Sequence, residues 1–297
     1  MANIVVIGAG LGGLPAAYEL RHLLPSEHTV TLVSEKSEFT FIPGLIQVAF
    51  NLKPLAHVQL GLAQLAQRHH LNWVSGKVTA LDPTHQRLTV EGQEAIAYDY
   101  LLIATGASLA WDWIPGTGPH GGYTHSVCTP DHALEARQAW LAFLEKPGPI
   151  VVGAAPGAGC FGPAYEFALI ADQELRRRGL RDQAPITYVT PEPYAGHLGV
   201  SGVHQARELT AELMQERGIE VIDNAIIQSV SPDTVTLADG QQVGADIALN
   251  RAFDLDVAGG AQIARDSEVC AEDGRVGFGF GRRRGHCRGI SRSRVRF

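Results

Sequence analysis

The chain has 297 residues, enough for two domains with their own cores, and its 45% hydrophobic and 19% charged residues are typical of a globular protein. The formal net charge of -7 argues against a general nucleic-acid-binding protein. Cys128, Cys160, Cys270 and Cys287 are too few for a disulfide scaffold and form no CxxC pair, so no metal site is expected. No run reaches the roughly 20 apolar residues of a membrane-spanning helix. The first predicted strand begins at Asn3 and leaves no room for a signal peptide, so we expect a cytoplasmic or peripheral membrane protein.

The first 33 residues predict a βαβ unit. A β-branched strand at residues 4–7 is followed by GAGLGG at 8–13, an amphipathic run from Leu14 to Leu24, and a second strand at residues 29–33. A strand, a glycine loop, a helix and a second strand in this order are typical of a dinucleotide-binding domain.

The loop itself fits the pattern GxGxxG through Gly8, Gly10 and Gly13. The first glycine permits a tight turn, the second lets the backbone approach a pyrophosphate, and the third lets the helix pack on the strand. The helix N-terminus then offers N–H groups to the phosphates. The alternative is a glycine-rich turn in an α/β core that binds no ligand.

An acidic residue is expected at the end of the second strand, where it would bind a ribose hydroxyl. Ser34 occupies that end and Glu35 follows. Either side chain could bind the ribose, and Glu35 could equally face solvent. Further along, short strands are predicted between residues 71 and 104, and the last of them runs into Thr105 and Gly106. Small residues at the carboxyl end of a strand can lie against a cofactor.

A second βαβ unit begins at Ile150, but its loop reads GxAxxA from Gly153 to Ala158 and the strand after its helix ends in Thr190 without an acid. The pattern predicts a nucleotide-binding topology that has lost the features needed for NAD(P)H. Cys160 precedes a helix predicted from about residue 163 to 178, and a helix start favours the thiolate. The alternative is a small buried thiol that packs the helix on the sheet.

The whole pattern predicts an α/β protein with two tandem Rossmann-like, three-layer nucleotide-binding domains. The predicted boundaries are 1–112 for the first domain, 113–250 for the second nucleotide-binding-type domain, and 251–297 for an atypical arginine-rich tail. The tail has no apolar period and is predicted to be disordered, although a basic tail could also touch anionic lipid or RNA.

Three segments go beyond the glycine loop and resemble the sulfide:quinone oxidoreductases, a family of FAD flavoproteins in the pyridine nucleotide–disulfide oxidoreductase superfamily. The segments are Val127-Cys128-Thr129-Pro130-Asp131-His132, Gly159-Cys160-Phe161-Gly162-Pro163-Ala164-Tyr165-Glu166-Phe167 and Pro193-Tyr194-Ala195-Gly196-His197-Leu198-Gly199. The resemblance extends to about residue 250. After that point the sequence no longer matches the family, as expected for a truncated or frame-shifted member.

The resemblance implies that the domain at 1–112 binds FAD, that the domain at 113–250 carries the redox cysteines, and that a C-terminal portion is missing. It also implies sulfide and quinone as small-molecule substrates. It implies that the residues that contact FAD are Gly8, Gly10, Gly13, Ser34, Val78, Thr105 and Gly106. It implies that Cys160 and Cys128 are the redox cysteines and that His132, His197 and Glu166 lie near the sulfide path. Taken singly, Cys128 is equally compatible with a structural role, the two histidines with packed or surface positions, and Glu166 with dipole stabilisation at a helix start.

The expected function is FAD-dependent oxidation of sulfide to sulfane sulfur or polysulfide, with electrons passed to quinone, an activity that truncation of the C-terminus would impair. The alternatives are an NAD(P)H-dependent FAD oxidoreductase and a non-catalytic truncated flavoprotein fragment. The family has a third cysteine, which Cys270 and Cys287 lie too early to replace. Its peripheral membrane contact uses a segment that is not recognisable in this chain.

Overall fold

The computed structural model describes residues 1–158, 160–198, 203–251, 254–255 and 276–278. The helices, numbered in chain order, are α1 (Gly13–Leu23), α2 (Leu45–Ala49), α3 (Leu62–Arg68), α4 (Pro130–Glu145), α5 (Gly162–Arg178) and α6 (Ala206–Glu216). The strands are β1 (Asn3–Ile7), β2 (Thr29–Ser34), β3 (Glu38–Thr40), β4 (Gln59–Gly61), β5 (Asn72–Ser75), β6 (Val78–Asp82), β7 (Arg87–Val90), β8 (Ile96–Ala97), β9 (Tyr100–Ile103), β10 (Ser108–Leu109), β11 (Thr124–His125), β12 (Ile150–Ala154), β13 (Ile186–Val189), β14 (Ile219–Ile222), β15 (Ile227–Val230), β16 (Thr234–Leu237), β17 (Gln242–Gly244), β18 (Ile247–Arg251), β19 (Asp254–Leu255) and β20 (Val276–Phe278).

The chain divides into two compact units. The first comprises Met1–Phe39, Leu60–Ser108 and Asp256–Phe297, and the second comprises Thr40–Gln59 and Leu109–Leu255. Of the predicted tail at 251–297, only residues 251, 254–255 and 276–278 lie within the described part of the chain. The rest of that prediction lies outside it.

The first unit is built on a parallel sheet with the strand order β20-β9-β1-β2-β5. One face packs on α1 and α3, through Val6, Leu32, Leu14, Ala17 and Leu62. The other face packs on the antiparallel sheet β6-β7-β8, through Val5, Ile7, Val33, Leu81 and Leu88. Successive residues of a strand point to opposite faces, so both faces of the parallel strands are buried.

The second unit repeats these three layers. Its parallel sheet has the order β11-β18-β12-β13-β14. The helices α4, α5 and α6 cover one face, through Trp140, Phe143, Phe167, Leu175 and Met214. The antiparallel sheet β15-β16-β17 covers the other, through Ile227, Val235 and Leu237. The predicted α/β architecture of two tandem Rossmann-like units is therefore confirmed.

A buried carboxylate fastens the end of α5. The Asp172 side chain has no exposed surface and accepts hydrogen bonds from Arg176 Nε at 2.9 Å, Arg181 Nε at 2.7 Å and Arg217 at 3.2 Å. These arginines come from α5, from the turn after it and from the end of α6. The ion network therefore holds the two helix ends together, and each partner satisfies a group that would be costly to bury alone.

Within the described residues, no helix combines the length and the apolar character needed to cross a membrane.

Candidate functional site

The glycine loop of the first unit has the geometry of a dinucleotide-binding turn. Gly8 follows β1 with φ +97°, and its N–H donates to the Val33 carbonyl at 2.8 Å. A Cβ at Gly8 would overlap the carbonyl of Ala104, and one at Gly13 would overlap the carbonyl of Gly8. Both positions therefore require glycine for the close packing of α1 on the strands.

Gly10 differs from these two glycines, because a Cβ built there meets no atom within 4 Å. The chain's own packing does not explain the absence of a side chain at this position. The helix that follows begins at Gly13 with Gly12 as N-cap, and no side chain caps its first turn. Open space beside uncapped N–H groups fits the pyrophosphate of a dinucleotide, which helix N-termini of this kind bind.

Other predicted cofactor residues of the first unit lie near the same end of its sheet. Ser34 ends β2, is 9% exposed and donates from its hydroxyl to the Lys36 carbonyl at 3.0 Å, whereas Glu35 is exposed. Thr105 and Gly106 are exposed just after β9. The strands β9, β1 and β2 are neighbours, so these residues and the glycine loop share the carboxyl end of the sheet.

Val78 lies at the start of β6 and is half-buried. Its side chain packs against the core that lies between the two sheets of the first unit. Just before it, the Gly76 N–H donates to the Ser34 carbonyl at 2.8 Å, which links this segment to the end of β2. Val78 therefore begins a strand that starts beside the predicted ribose position.

The corresponding loop of the second unit is filled by the chain's own side chains. Ala155 stands at the second glycine position of the motif, is fully buried, and packs in the cluster that contains Val189 and Ala225. Ala158 stands at the third position and packs on the helix side of the sheet. Because a pyrophosphate needs bare backbone at the second position, this loop lacks the space that Gly10 leaves open.

The two predicted redox cysteines occupy equivalent places in the second unit. Cys128 comes directly before Thr129, the N-cap of α4, and Cys160 comes directly before Phe161, the N-cap of α5. Cys128 is half-buried, with its N–H donating to Ser126 Oγ at 3.2 Å, and Cys160 is exposed. The helices follow β11 and β12, parallel strands of one sheet that are separated by β18, so both cysteines lie at the same edge of that sheet.

His132 lies in the first turn of α4 and is 8% exposed. Its ring makes edge contacts with Trp111 at 5.8 Å and His120 at 5.5 Å between centroids. Within the described part of the chain, its Nδ1 is buried with no hydrogen-bond partner. Burial, together with the nearby His120, lowers the pKa of His132 below its ordinary value of 6.5. The imidazole is therefore neutral at pH 7 and able to accept a proton.

Glu166 lies near the start of α5, and His197 lies in the loop after β13 that bonds to Tyr165 of the same helix. Glu166 is exposed in the second turn of that helix. His197 is half-buried in the loop that follows β13, and its ring makes an edge contact with Tyr194 at 5.3 Å between centroids. Among the described residues, no group of three or more histidine, cysteine, aspartate or glutamate side chains is arranged to hold a metal ion.

Sequence reasoning missed a buried carboxylate three residues after β13. Glu192 is 2% exposed, and its Oε2 accepts hydrogen bonds from the Tyr165 hydroxyl at 2.7 Å and from Thr190 Oγ1 at 2.8 Å. Burial and the hydrogen bond to Glu192 raise the pKa of Tyr165, so its hydroxyl stays protonated and donates. The carboxylate thus follows the strand end where a ribose-binding acid is expected, but it bonds to the protein itself.

The sequence model of the family described as pyridine nucleotide-disulphide oxidoreductase matches residues 2–250. A relative named sulfide-quinone reductase, from Aquifex aeolicus (strain VF5), is 38% identical over 237 residues, which are 80% of this chain and 54% of the relative. This chain therefore spans about half the length of that curated relative.

Two solved structures have a similar fold. The sulfide:quinone oxidoreductase from the hyperthermophilic bacterium Aquifex aeolicus superposes with a TM-score of 0.80 at 36% identity, covering 86% of this chain and 59% of that chain. The structure of NDH2 from Plasmodium falciparum in complex with NADH superposes with a TM-score of 0.67 at 18% identity, covering 84% of this chain and 55% of that chain. At that identity the second similarity concerns the fold alone.

Proposed function

The chain belongs to the pyridine nucleotide-disulphide oxidoreductase family, and we propose that within this family it oxidises sulfide with FAD and passes the electrons to a quinone. The observation that carries the proposal is the paired placement of Cys128 and Cys160. Each comes directly before the N-cap of a helix, at one edge of a sheet whose own nucleotide loop is filled by Ala155. The 38% identity to a sulfide-quinone reductase supports the same chemistry.

FAD is the cofactor that the first unit is proposed to hold. Gly10 leaves room for the pyrophosphate, and the uncapped start of α1 offers it N–H groups. Ser34 or Glu35 binds the ribose, and Val78, Thr105 and Gly106 complete the proposed contacts. When bound, the flavin accepts two electrons and releases them to a second substrate.

The cysteines are proposed to carry the sulfur. The step starts from a disulfide between the two cysteines: hydrosulfide attacks one of its sulfurs, the sulfur–sulfur bond breaks, and a persulfide remains on one cysteine and a thiolate on the other. A second hydrosulfide then removes the sulfane sulfur as polysulfide, and re-formation of the disulfide from the two thiolates releases the two electrons that a bound flavin would accept. The neutral ring of His132 has a buried Nδ1 that can take the proton of the persulfide. His197 and Glu166 are the further candidates for proton transfer.

An NAD(P)H-dependent flavoprotein is the competing proposal for a chain with this fold. The filled loop at Ala155 and the inward-facing carboxylate of Glu192 both count against it. A pyridine nucleotide would need bare backbone where Ala155 stands, and it would need an acid near the position of Glu192 that is available to bind the ribose.

The test is anaerobic titration of the FAD-loaded full chain with sulfide, followed by a soluble quinone. We expect the flavin absorption to bleach and then return. Replacement of Cys160 or Cys128 by serine should slow the bleaching by roughly tenfold or more, because the disulfide that hydrosulfide attacks can no longer form. Cys287→Ser, a cysteine with no proposed role, is the matched control. Bleaching by NADH but not by sulfide would favour the competing proposal.

A further inference from the structure

The loop that carries His197 is held at two adjacent points by one hydrogen-bonded pair. The N–H of Gly196, directly before the histidine, donates to the Tyr165 hydroxyl at 2.8 Å. The N–H of Leu198, directly after it, donates to Glu192 Oε1 at 2.5 Å. Tyr165 and Glu192 are themselves joined at 2.7 Å. The backbone N–H groups of the two residues on either side of His197 are therefore both bound to buried side chains.

The side chains of Tyr165 and Glu192 are fixed because both are buried and have few alternative hydrogen-bond partners. Tyr165 is 8% exposed and Glu192 is 2% exposed, and a buried carboxylate must be hydrogen-bonded to be tolerated. Both carboxylate oxygens are in use, Oε1 by Leu198 and Oε2 by Tyr165 and Thr190. Leu198 has φ +55°, a conformation that non-glycine residues adopt only where the surroundings hold them.

The same pair ties the loop to the helix that follows Cys160. Tyr165 belongs to α5, which begins two residues after the cysteine, and its ring packs against Tyr188 of β13 at 4.4 Å between centroids. Tyr188 also reaches Glu192 Oε2, at 3.5 Å, but among the described residues the N–H groups of Gly196 and Leu198 bond to Tyr165 and Glu192 and not to Tyr188. The two tyrosines therefore share one carboxylate and differ in their link to the histidine.

We propose that Tyr165 and Glu192 are positioning residues that fix His197 relative to the α5 start that carries Cys160. The carboxylate that follows the second strand, where related folds bind a ribose, here holds a loop of the same chain. The role of a fixed His197 in sulfide oxidation rests on the proposed function, whereas the fixing of His197 does not.

The experiment compares Tyr165→Phe with Tyr188→Phe in the full chain, since both remove one buried hydroxyl that reaches Glu192. Two properties are measured without sulfide or quinone: amide hydrogen exchange at Gly196 and Leu198, and the rate at which diethyl pyrocarbonate modifies His197, mapped by mass spectrometry. The exposed His22 is the internal reference for the reagent. Far-ultraviolet circular dichroism checks that each variant is folded.

We expect Tyr165→Phe to raise exchange at Gly196 and modification of His197 by about fivefold, which corresponds to the loss of one hydrogen bond of about 1 kcal/mol. Tyr188→Phe should stay within about twofold of the unaltered chain. Glu192→Ala, the second variant, should raise exchange at Leu198. An unchanged modification rate of His197 in Tyr165→Phe would overturn the proposal. Equal effects of Tyr165→Phe and Tyr188→Phe would also overturn it, because they would indicate a general loss of packing around Glu192.

A second readout separates this inference from the proposed function. If the unaltered FAD-loaded chain is bleached by sulfide, Tyr165→Phe should change the pH profile of the bleaching rate while Tyr188→Phe does not. A profile identical to that of the unaltered chain would overturn the positioning role in the reaction. If the unaltered chain is not bleached at all, the proposed function fails, and exchange and modification at His197 still decide whether the pair fixes the histidine.

Discussion

Replacement of Gly10 by valine should separate cofactor binding from folding. A Cβ at Gly10 meets no atom within 4 Å, so the side chain enters open space and creates no clash within the chain. We therefore expect the free energy of unfolding to change by less than about 1 kcal/mol. The same side chain would stand where the pyrophosphate must approach the backbone.

The expected loss of affinity follows from the bonds that the side chain would block. A hydrogen bond between a backbone N–H and a charged group contributes about 1.5–3 kcal/mol, and each 1.4 kcal/mol is about tenfold in affinity. Loss of one such bond should weaken FAD binding by about ten- to a hundredfold. The dissociation constant is measured by fluorescence titration of the apo chain, and stability by urea unfolding of the same preparation.

Two further variants control this experiment. Gly61, at the N-cap of α3, also leaves open space around a Cβ, so Gly61→Val tests the effect of a valine outside the loop and should leave both properties unchanged. Gly13→Ala places a methyl group against the Gly8 carbonyl and should cost about 1–3 kcal/mol of stability. Unaltered FAD affinity in a folded Gly10→Val chain would refute the assignment of this loop to the cofactor.

Three further outcomes are expected. Asp172→Asn should lower the free energy of unfolding by about 3–5 kcal/mol, because it breaks a buried ion network. The control Asp182→Asn, at an exposed position, should change the free energy of unfolding by less than about 0.5 kcal/mol. Equal urea midpoints for the two variants would contradict a stabilising role of the network. Burial lowers the pKa of both His125 and His132 below the ordinary value of about 6.5, so the unfolded chain binds more protons as the pH drops through about 6.5 and the free energy of unfolding falls with the pH. His132→Gln should reduce that fall, with exposed His22→Gln as the matched surface control, and an unchanged fall in His132→Gln would count against the buried neutral ring. In the fully reduced chain iodoacetamide should label exposed Cys160 before half-buried Cys128, as followed by peptide mass mapping, and the reverse order would contradict the accessibility described above.

The parts of the fold that the sequence predicts well are those with local signals. The glycine loop at 8–13 lies between a β-branched strand and an amphipathic run, and it forms the expected turn. The end of α5 is equally local, because Gly179 adopts φ +71° and closes the helix where the pattern places it. Asp239-Gly240 forms the turn between β16 and β17, and an Asp-Gly pair between two strands is itself a local hairpin signal.

The helix α4 and the grouping of Thr40–Gln59 with the second unit are absent from the predicted elements. For α4 a local signal exists, because Thr129 caps the helix, Pro130 begins it and Asp131 lies in its first turn. For Thr40–Gln59 no local signal exists. Its side chains Ile46, Ala49 and Phe50 pack with Trp140 and other residues far along the chain.

Glu192 was missed for the same reason, because its partners are assembled by the tertiary fold. Tyr165 lies 27 residues earlier on α5, and the bonded N–H of Leu198 belongs to a loop without regular structure. The only trace of it in the sequence is an acid between two prolines, three residues after a strand with four buried residues. Such a trace indicates a turn at least as well as a buried carboxylate, so only the structure distinguishes them.

The two units share one architecture and differ at the loop that follows the first strand of each βαβ unit. Each has a parallel five-stranded sheet with helices on one face and a three-stranded antiparallel sheet on the other. At the second position of the glycine motif the first unit has Gly10, beside open space, and the second unit has Ala155, whose side chain is buried. The acid that follows the second strand of that second unit, Glu192, accepts a hydrogen bond from the loop that carries His197. Cys128 and Cys160 directly precede the N-caps of α4 and α5, so the edge of the sheet that carries the glycine loop in the first unit carries two cysteines in the second.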